Sequence, residues 1–170
     1  AAASAINGSA FGTQPQVAWA DADGNITNTT GQITVAVTSP GVGGKSTVLS
    51  GTTAVSSSAG TTTYSGLTLT GGADTYTLTY SATGVTNATQ TITVSAGAAT
   101  KLALTTSAAG FVNRANFTTQ PVITVQDASG NTVTTSTASI TVSIDSGTLT
   151  GTTTLSAVAG VADWTTAATA

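Results

Sequence analysis

The chain has 170 residues, of which 39% are hydrophobic and only 5% are charged, and its formal net charge at pH 7 is −3. The hydrophobic fraction is sufficient for a packed core, whereas three cations are too few for the basic surface that binds a phosphate backbone, so we expect no nucleic-acid partner. The chain has no His, Cys or Glu, which are among the commonest catalytic bases, nucleophiles and metal ligands, so we expect no enzymatic activity and no cofactor. No apolar run is long enough to span a membrane, so we also expect no membrane-spanning segment.

A stretch near the start of the chain, residues 11–25, returns as residues 117–131 with the same order of features. Both copies begin with Phe-x-Thr-Gln-Pro, continue through an alternating apolar run and end in Asp-x-x-Gly-Asn. A recurring period of this kind indicates a repeated structural module. We therefore predict two domains, module 1 over residues 1–97 and module 2 over residues 98–170, joined by the small, uncharged residues 95–100.

Apolar and polar residues alternate with a period of two in both modules, which predicts short β-strands. Pro and Gly predict a loop over residues 39–44. Short strands separated by turns, without helical periodicity, predict an all-β fold of antiparallel β-sandwiches. The predicted inward positions are Val17, Trp19, Ile33, Val35, Val37, Leu67, Leu69, Tyr76, Leu78, Tyr80, Ile92 and Val94 in module 1, and Leu102, Leu104, Ile140, Val142 and Ile144 in module 2.

Each module lacks strands that the other has. The first strand of module 2, which contains Leu102 and Leu104, has no counterpart in module 1, and module 2 lacks the last strands of module 1, those of Leu67, Tyr76 and Ile92. Unpaired sheet edges recruit partners. Two explanations follow: the sequence is a window cut from a longer tandem array, or neighbouring subunits supply the missing strands by strand addition. The window is the preferred explanation, because the ends of the chain carry no long alternating donor segment.

The chain resembles the bacterial immunoglobulin-like (Big and invasin-type) tandem repeats of large cell-surface proteins. The resemblance is carried by Asn-Gly-Ser-Ala-Phe at residues 7–11, by both Phe-x-Thr-Gln-Pro motifs, by both Asp turns, and by Ala-Thr-Lys-Leu at residues 99–102. It implies tandem Ig-like antiparallel β-sandwiches and an extracellular structural role at the cell surface, as a fibre, filament, stalk or surface lattice. The expected partners are further copies of the chain or adjacent Ig-like modules.

Two further features bear on function. The residues around Tyr76 resemble the tyrosine-corner strand of Ig-like sandwiches, in which the tyrosine hydroxyl bonds backbone upstream. Threonine rows on the outer faces of the strands suggest the alternative function, an adhesin or ligand-binding module for carbohydrate or ice.

The first Asp turn resembles the start of a calcium-binding loop, with oxygen-bearing side chains at Asp21, Asp23 and Asn25. The chain has no Glu to close such a loop, and Ser129 replaces the second carboxylate in module 2. Asp and Asn side chains also hold turns together by bonding nearby backbone. Turn capping is therefore the preferred interpretation, and the three residues are a weak candidate for Ca²⁺.

Five of the seven Asn residues begin an Asn-x-Ser/Thr triplet, the acceptor for N-linked glycans. In a chain this rich in Ser and Thr some of these triplets arise by chance. The glycosylation candidates are Asn7, Asn25, Asn28, Asn87 and Asn116, and glycans linked to the threonine faces are a second prediction.

Overall fold

The structure is a computed structural model that describes residues 4–38, 45–110 and 112–167. These residues form β-strands and no helix, which confirms the prediction of an all-β fold. No helix that could cross a membrane occurs in this part of the chain. The loop predicted over residues 39–44 lies outside the described residues. The tandem Ig-like arrangement stays a prediction.

The chain divides into two compact units, Ala1–Gly97 and Ala98–Ala170. This division falls at the joint that separates modules 1 and 2 in the sequence. Module 1 contains nine strands: β1 (Ser4–Ile6), β2 (Gln16–Ala18), β3 (Gln32–Val37), β4 (Val48–Ser50), β5 (Ala54–Ser56), β6 (Thr61–Thr63), β7 (Thr68–Thr70), β8 (Thr75–Ser81) and β9 (Ala88–Ser95).

Five of these strands form one sheet in the order β1-β9-β8-β3-β5, and two-stranded sheets are formed by β2 with β6 and by β4 with β7. All neighbouring strands are antiparallel except β1, which runs parallel to β9. The core consists of side chains from all three sheets, so it lies between the five-stranded sheet and the two short ones. Its buried members are Ala5, Phe11, Ile33, Val35, Tyr64, Leu67, Leu69, Tyr76, Leu78, Tyr80, Ile92 and Val94.

Two buried tyrosine hydroxyls in module 1, those of Tyr76 and Tyr64, donate to backbone carbonyls. Tyr76 Oη donates to the carbonyl of Gly72 at 2.8 Å, four residues upstream, which is the bond that the tyrosine-corner interpretation predicts. Tyr64 Oη donates to the carbonyl of Ile33 at 3.1 Å, and its ring lies 5.6 Å from that of Tyr80. These bonds allow large aromatic side chains to be buried without an unsatisfied polar group.

Module 2 contains β10 (Lys101–Thr106), β11 (Val122–Gln126), β12 (Ser139–Thr141), β13 (Thr154–Ser156) and β14 (Val161–Asp163). The strands form a three-stranded sheet in the order β10-β11-β14 and a two-stranded sheet of β12 with β13. The smaller core of this module is built from Val125, Ile140, Ala157, Ala162 and Trp164.

Each module contains the same pattern of backbone hydrogen bonds, which we call the framework. In module 1, Trp19 N–H donates to the carbonyl of Gly60 at 2.8 Å and Tyr64 N–H donates to the carbonyl of Pro15 at 3.1 Å. The equivalent bonds in module 2 run from Val125 to Gly160 at 2.8 Å and from Trp164 to Pro121 at 3.2 Å. The β2–β6 pair of module 1 therefore corresponds to the β11–β14 pair of module 2.

Each framework includes the same tight hairpin turn. Ser58 and Thr61 exchange backbone hydrogen bonds of 2.9 and 3.0 Å around Ala59 and Gly60, whose φ angles are 50° and 75°. Positive φ at both central residues defines a type I′ turn, which matches the twist of the flanking strands. Ala159, at a φ of 49°, and the glycine that follows it repeat this turn in module 2.

Some side chains that are predicted to point into the core of module 2 are exposed to solvent. Leu102 and Leu104 of β10 are 56% and 58% exposed, and Ile144 is 47% exposed. The core of module 1 includes side chains of β7, β8 and β9, and these strands have no equivalents among the described strands of module 2. The prediction that these side chains are buried is therefore wrong for the structure as it stands, although β10 itself is present.

Candidate functional site

The Asp turn of each module uses its carboxylate to bind the turn's own backbone. Asp21 Oδ1 accepts hydrogen bonds from the N–H groups of Asp23 at 3.1 Å and Asn25 at 2.9 Å. The backbone N–H of Asn25, followed by its side chain, holds the pKa of Asp21 below its ordinary value. In module 2, Asp127 Oδ1 accepts from the N–H of Asn131 at 2.8 Å, in a buried setting.

The three calcium candidates lie together, but their arrangement is that of a cap. Asn25 directs its Nδ2 at Asp21 Oδ2, 3.2 Å away, so it offers this carboxylate a donor. A cation between Asp21 and Asn25 would have to displace that amide. Within the described residues, no group of three or more His, Cys, Asp or Glu side chains is close enough to hold a metal ion.

The glycosylation candidates fall into two groups. Asn7 is buried, and its Oδ1 accepts a hydrogen bond from the N–H of Gly71 at 2.8 Å, so this side chain serves the fold. Asn25 is exposed, but its amide bonds Asp21 as described above. The side chains of Asn28, Asn87 and Asn116 lie at exposed positions, where a glycan could be attached to the folded chain.

The outer face of the five-stranded sheet carries rows of hydroxyl groups, which we call the hydroxyl face. Three cross-strand pairs of threonines join β8 to β9: Thr75 with Thr93, Thr77 with Thr91, and Thr79 with Thr89. Several hydroxyls bond one another across the strands, at 3.1 Å between Thr75 and Thr93 and at 2.7 Å between Thr38 and Thr79. None of the five strands contains a charged residue.

A groove of about 410 Å³ runs beside β2 in module 1. Its lining includes Val17 and Trp19 on the β2 side, and Tyr80, Ala82 and Val85. Both side chains on the β2 side are only half-buried, and Val85 is 47% exposed. The groove is therefore lined by apolar side chains together with Asp21 and Thr86.

Module 2 has a larger open cavity, of about 770 Å³. Its lining includes Phe117, Val142, Ile144 and Trp164. The counterpart of Trp164 in module 1 is Tyr64, which is covered by Tyr80 of β8. The cavity therefore lies on the face that the last strands cover in module 1.

The chain was compared with protein-family models, with curated proteins and with solved structures. None of them matches it.

Sequence reasoning identified the threonine rows but missed most of the groove. The alternation predicted Val17, Trp19 and Tyr80 as inward residues, without indicating that a space remains between them. Ala82 and Val85 both lie beyond the end of β8, where the alternation stops.

Proposed function

We propose that the chain is part of an extracellular structural protein, in which Ig-like modules in tandem form a cell-surface fibre, filament, stalk or surface lattice. The observation that carries the proposal is the parallel pairing of β1 with β9, the first and last of the strands described in module 1. The shared framework of the two modules and the uncharged hydroxyl face agree with a repeated building element that packs closely against like surfaces.

Parallel pairing of the terminal strands determines how module 1 responds to tension. Two parallel strands start at the same end, so a pull on the chain before β1 and after β9 acts in opposite directions along the strands. Every hydrogen bond between them then bears load at once. The paired residues are Ser4 with Thr93, Ala5 with Val94, and Ile6 with Ser95.

Hydrogen bonds at the end of β1 connect it to β9 and to β7. Asn7 N–H donates to the carbonyl of Ser95 at 2.9 Å, and Gly8 N–H donates to the carbonyl of Leu69 at 2.8 Å. Ala5 is buried in the core, 7% exposed. A module whose first strand is held in this way resists extension until that strand separates from β9.

Force spectroscopy on the chain held at both ends tests the mechanical role. Successive N–H groups of a strand point to opposite sides. Asn7 N–H faces β9, so Ala5 N–H does as well and Ile6 N–H points away. Ala5→Pro removes a bond of the pair, whereas Ile6→Pro places proline where an edge strand tolerates it. We expect Ala5→Pro to lower the unfolding force of one of the two modules and Ile6→Pro to leave it close to that of the unaltered chain.

A wild-type chain that extends at low force, or an equal effect of the two proline variants, would refute the mechanical proposal. The location is tested separately. Antibodies raised against the chain should label intact source cells, and the label should disappear after treatment with an external protease. Label that requires permeabilised cells would contradict an extracellular role.

The hydroxyl face favours a second candidate function, the binding of carbohydrate or ice. Its exposed Thr-x-Thr rows place hydroxyl and methyl groups at the regular spacings of a sheet, without charges. The test compares Thr91→Lys, in the middle of the face, with Thr13→Lys, at an exposed position outside the sheet. Binding to a glycan array, or inhibition of ice growth, that is lost only in Thr91→Lys would support this function, and no activity in the unaltered chain would refute it.

A further inference from the structure

The turn that follows β1 contains Asn7-Gly8, the one Asn-Gly dipeptide of the sequence. Ser9 N–H donates to the carbonyl of Ile6 at 3.0 Å, so Asn7 and Gly8 are the two central residues of a β-turn. Gly8 has a φ of 74°, the positive angle that the third residue of a type II turn adopts. The turn conformation therefore favours a glycine directly after this asparagine.

An Asn-Gly dipeptide can modify itself without an enzyme. The backbone nitrogen of the glycine bonds to Cγ of the asparagine, its proton leaves with the side-chain nitrogen as ammonia, and a succinimide ring forms. Water then opens the ring at either carbonyl, which gives aspartate or isoaspartate. Glycine favours this attack because it has no Cβ to hinder the approach of its backbone nitrogen.

In the folded chain both reacting groups of the dipeptide are held by other partners. Gly8 N–H donates to the carbonyl of Leu69 at 2.8 Å, and Asn7 Oδ1 accepts a hydrogen bond from Gly71 N–H at 2.8 Å. Asn7 is also only 8% exposed, which limits the access of water. Leu69 lies in β7 and Gly71 directly follows it, so both bonds are lost when the turn separates from this strand.

We infer that Asn7-Gly8 is a self-modification site, which the fold keeps unreactive and which reacts when β1 separates from module 1. Isoaspartate adds one carbon to the main chain between Asn7 N–H and Gly8 N–H, whose partners are the carbonyls of Ser95 and Leu69. Either product also puts a carboxylate in place of a buried amide, and burial of a charge is costly. The reaction therefore makes a reversible separation of β1 permanent. This inference goes beyond the proposed function and does not depend on it.

Module 2 contains the same turn without the reactive dipeptide. The turn over residues 112–115 is closed by a backbone hydrogen bond of 2.9 Å, and Arg114, with a φ of 67°, stands where module 1 has Gly8. Asn113 is thus the counterpart of Asn7, but it is exposed and precedes a residue with a long side chain. It serves as an internal reference, since it is accessible to water and has no glycine after it.

The test incubates the intact 170-residue chain at mildly alkaline pH, in buffer and unfolded in guanidinium chloride. Peptide mass spectrometry follows each asparagine, because replacement of the amide NH2 by OH changes the mass. We expect Asn7 to react at least about tenfold more slowly in buffer, since the reaction there requires a packed part of the fold to open. Asn113 should react slowly in both conditions. Equal rates at Asn7 in buffer and in denaturant would overturn the inference.

Three variants test the chemistry and its link to β1. Gly8→Ala adds a Cβ that meets nothing within 4 Å, and it should remove most of the reaction in denaturant; an unchanged rate would exclude attack by this nitrogen. Ala5→Pro removes a bond between β1 and β9, so it should speed the reaction of Asn7 in buffer about tenfold. Ile6→Pro, which keeps that bond, should not. Equal rates in the two proline variants would overturn the link to separation of β1.

Refolding of chains that were modified in denaturant tests the consequence for the fold. Hydrogen exchange followed by NMR should show that the amides of Gly8 and Gly71 exchange at least about tenfold faster than in the unmodified chain. The amide of Val125 in module 2, which donates to the carbonyl of Gly160, should keep its rate. Unchanged protection of Gly8 and Gly71 would show that the product fits the fold, and it would overturn the inference.

Discussion

Among the glycines of module 1, Gly60 is the one whose substitution by alanine should lower the free energy of unfolding most. It adopts a φ of 75°, and a Cβ placed there would overlap the backbone carbonyl oxygen of Thr27. The carbonyl of Gly60 also accepts the N–H of Trp19 at 2.8 Å, which fixes this part of the turn against β2. Gly60→Ala therefore forces a left-handed alanine and a steric overlap that the backbone cannot relieve without weakening that bond.

The two costs can be separated by a matched control. A left-handed conformation costs a residue with Cβ about 1–2 kcal/mol, and relief of an overlap adds about 1–3 kcal/mol. The expected loss of unfolding free energy for Gly60→Ala is therefore about 2–5 kcal/mol. Gly84 has a φ of 82°, and a Cβ there meets nothing within 4 Å, so Gly84→Ala should have only the first cost.

Urea unfolding of chains labelled with 5-fluorotryptophan measures the effect, because the ¹⁹F resonance of Trp19 reports module 1 and that of Trp164 reports module 2. The urea midpoint of the Trp19 signal should fall much further for Gly60→Ala than for Gly84→Ala, with the Trp164 signal as the reference within the same chain. Equal shifts for the two variants would refute the steric reasoning and leave backbone conformation as the whole effect.

Three further results are expected of module 1. Ala59→Asn should raise its stability by about 0.5–1 kcal/mol in the same urea assay, because Asn suits the first central position of a type I′ turn better than Ala; a loss would contradict the turn assignment. Tyr76→Phe should cost about 1–3 kcal/mol, since it leaves the buried carbonyl of Gly72 unpaired, and a change below 0.5 kcal/mol would show that this bond contributes little. Burial raises the pKa values of Tyr64 and Tyr80 to about 12, with the charge of Tyr64 adding to the shift at Tyr80. The stability that depends on the neutral hydroxyls is complete below the unfolded pKa of about 10 and is lost as the pH rises through about 12. Tm should therefore fall across that pH interval, and a Tm that stays constant there would contradict the expectation.

Local patterns in the sequence were sufficient to predict strands and the repeat. Ile33 and Val35 alternate with polar residues, and both are buried on one face of β3. The Asp turns were predicted as caps, and the bonds between Asp21 and Asn25 have that form. In each case the information lies within a few residues, where side-chain chemistry and strand period act directly.

Features that depend on distant strands could not be predicted in the same way. Residues 4–6 show little alternation, and they form a strand only because β9 offers a parallel edge. Leu102 and Leu104 follow the inward pattern, but their burial requires an opposing layer that the described part of module 2 does not contain. The groove beside β2 likewise depends on which strands are present and not on the residues that line it.

The hydroxyl face has a consequence for the media in which the chain can work. Dissolved salt screens charges, and pH changes charges, but threonine side chains carry no charge to be screened or titrated. The strands of this sheet carry no charged side chain, so the face presents the same groups to water in dilute medium and in brine, and in acid as in mild base. Any contact made through it should therefore escape the weakening that charge screening causes in contacts between ionic groups.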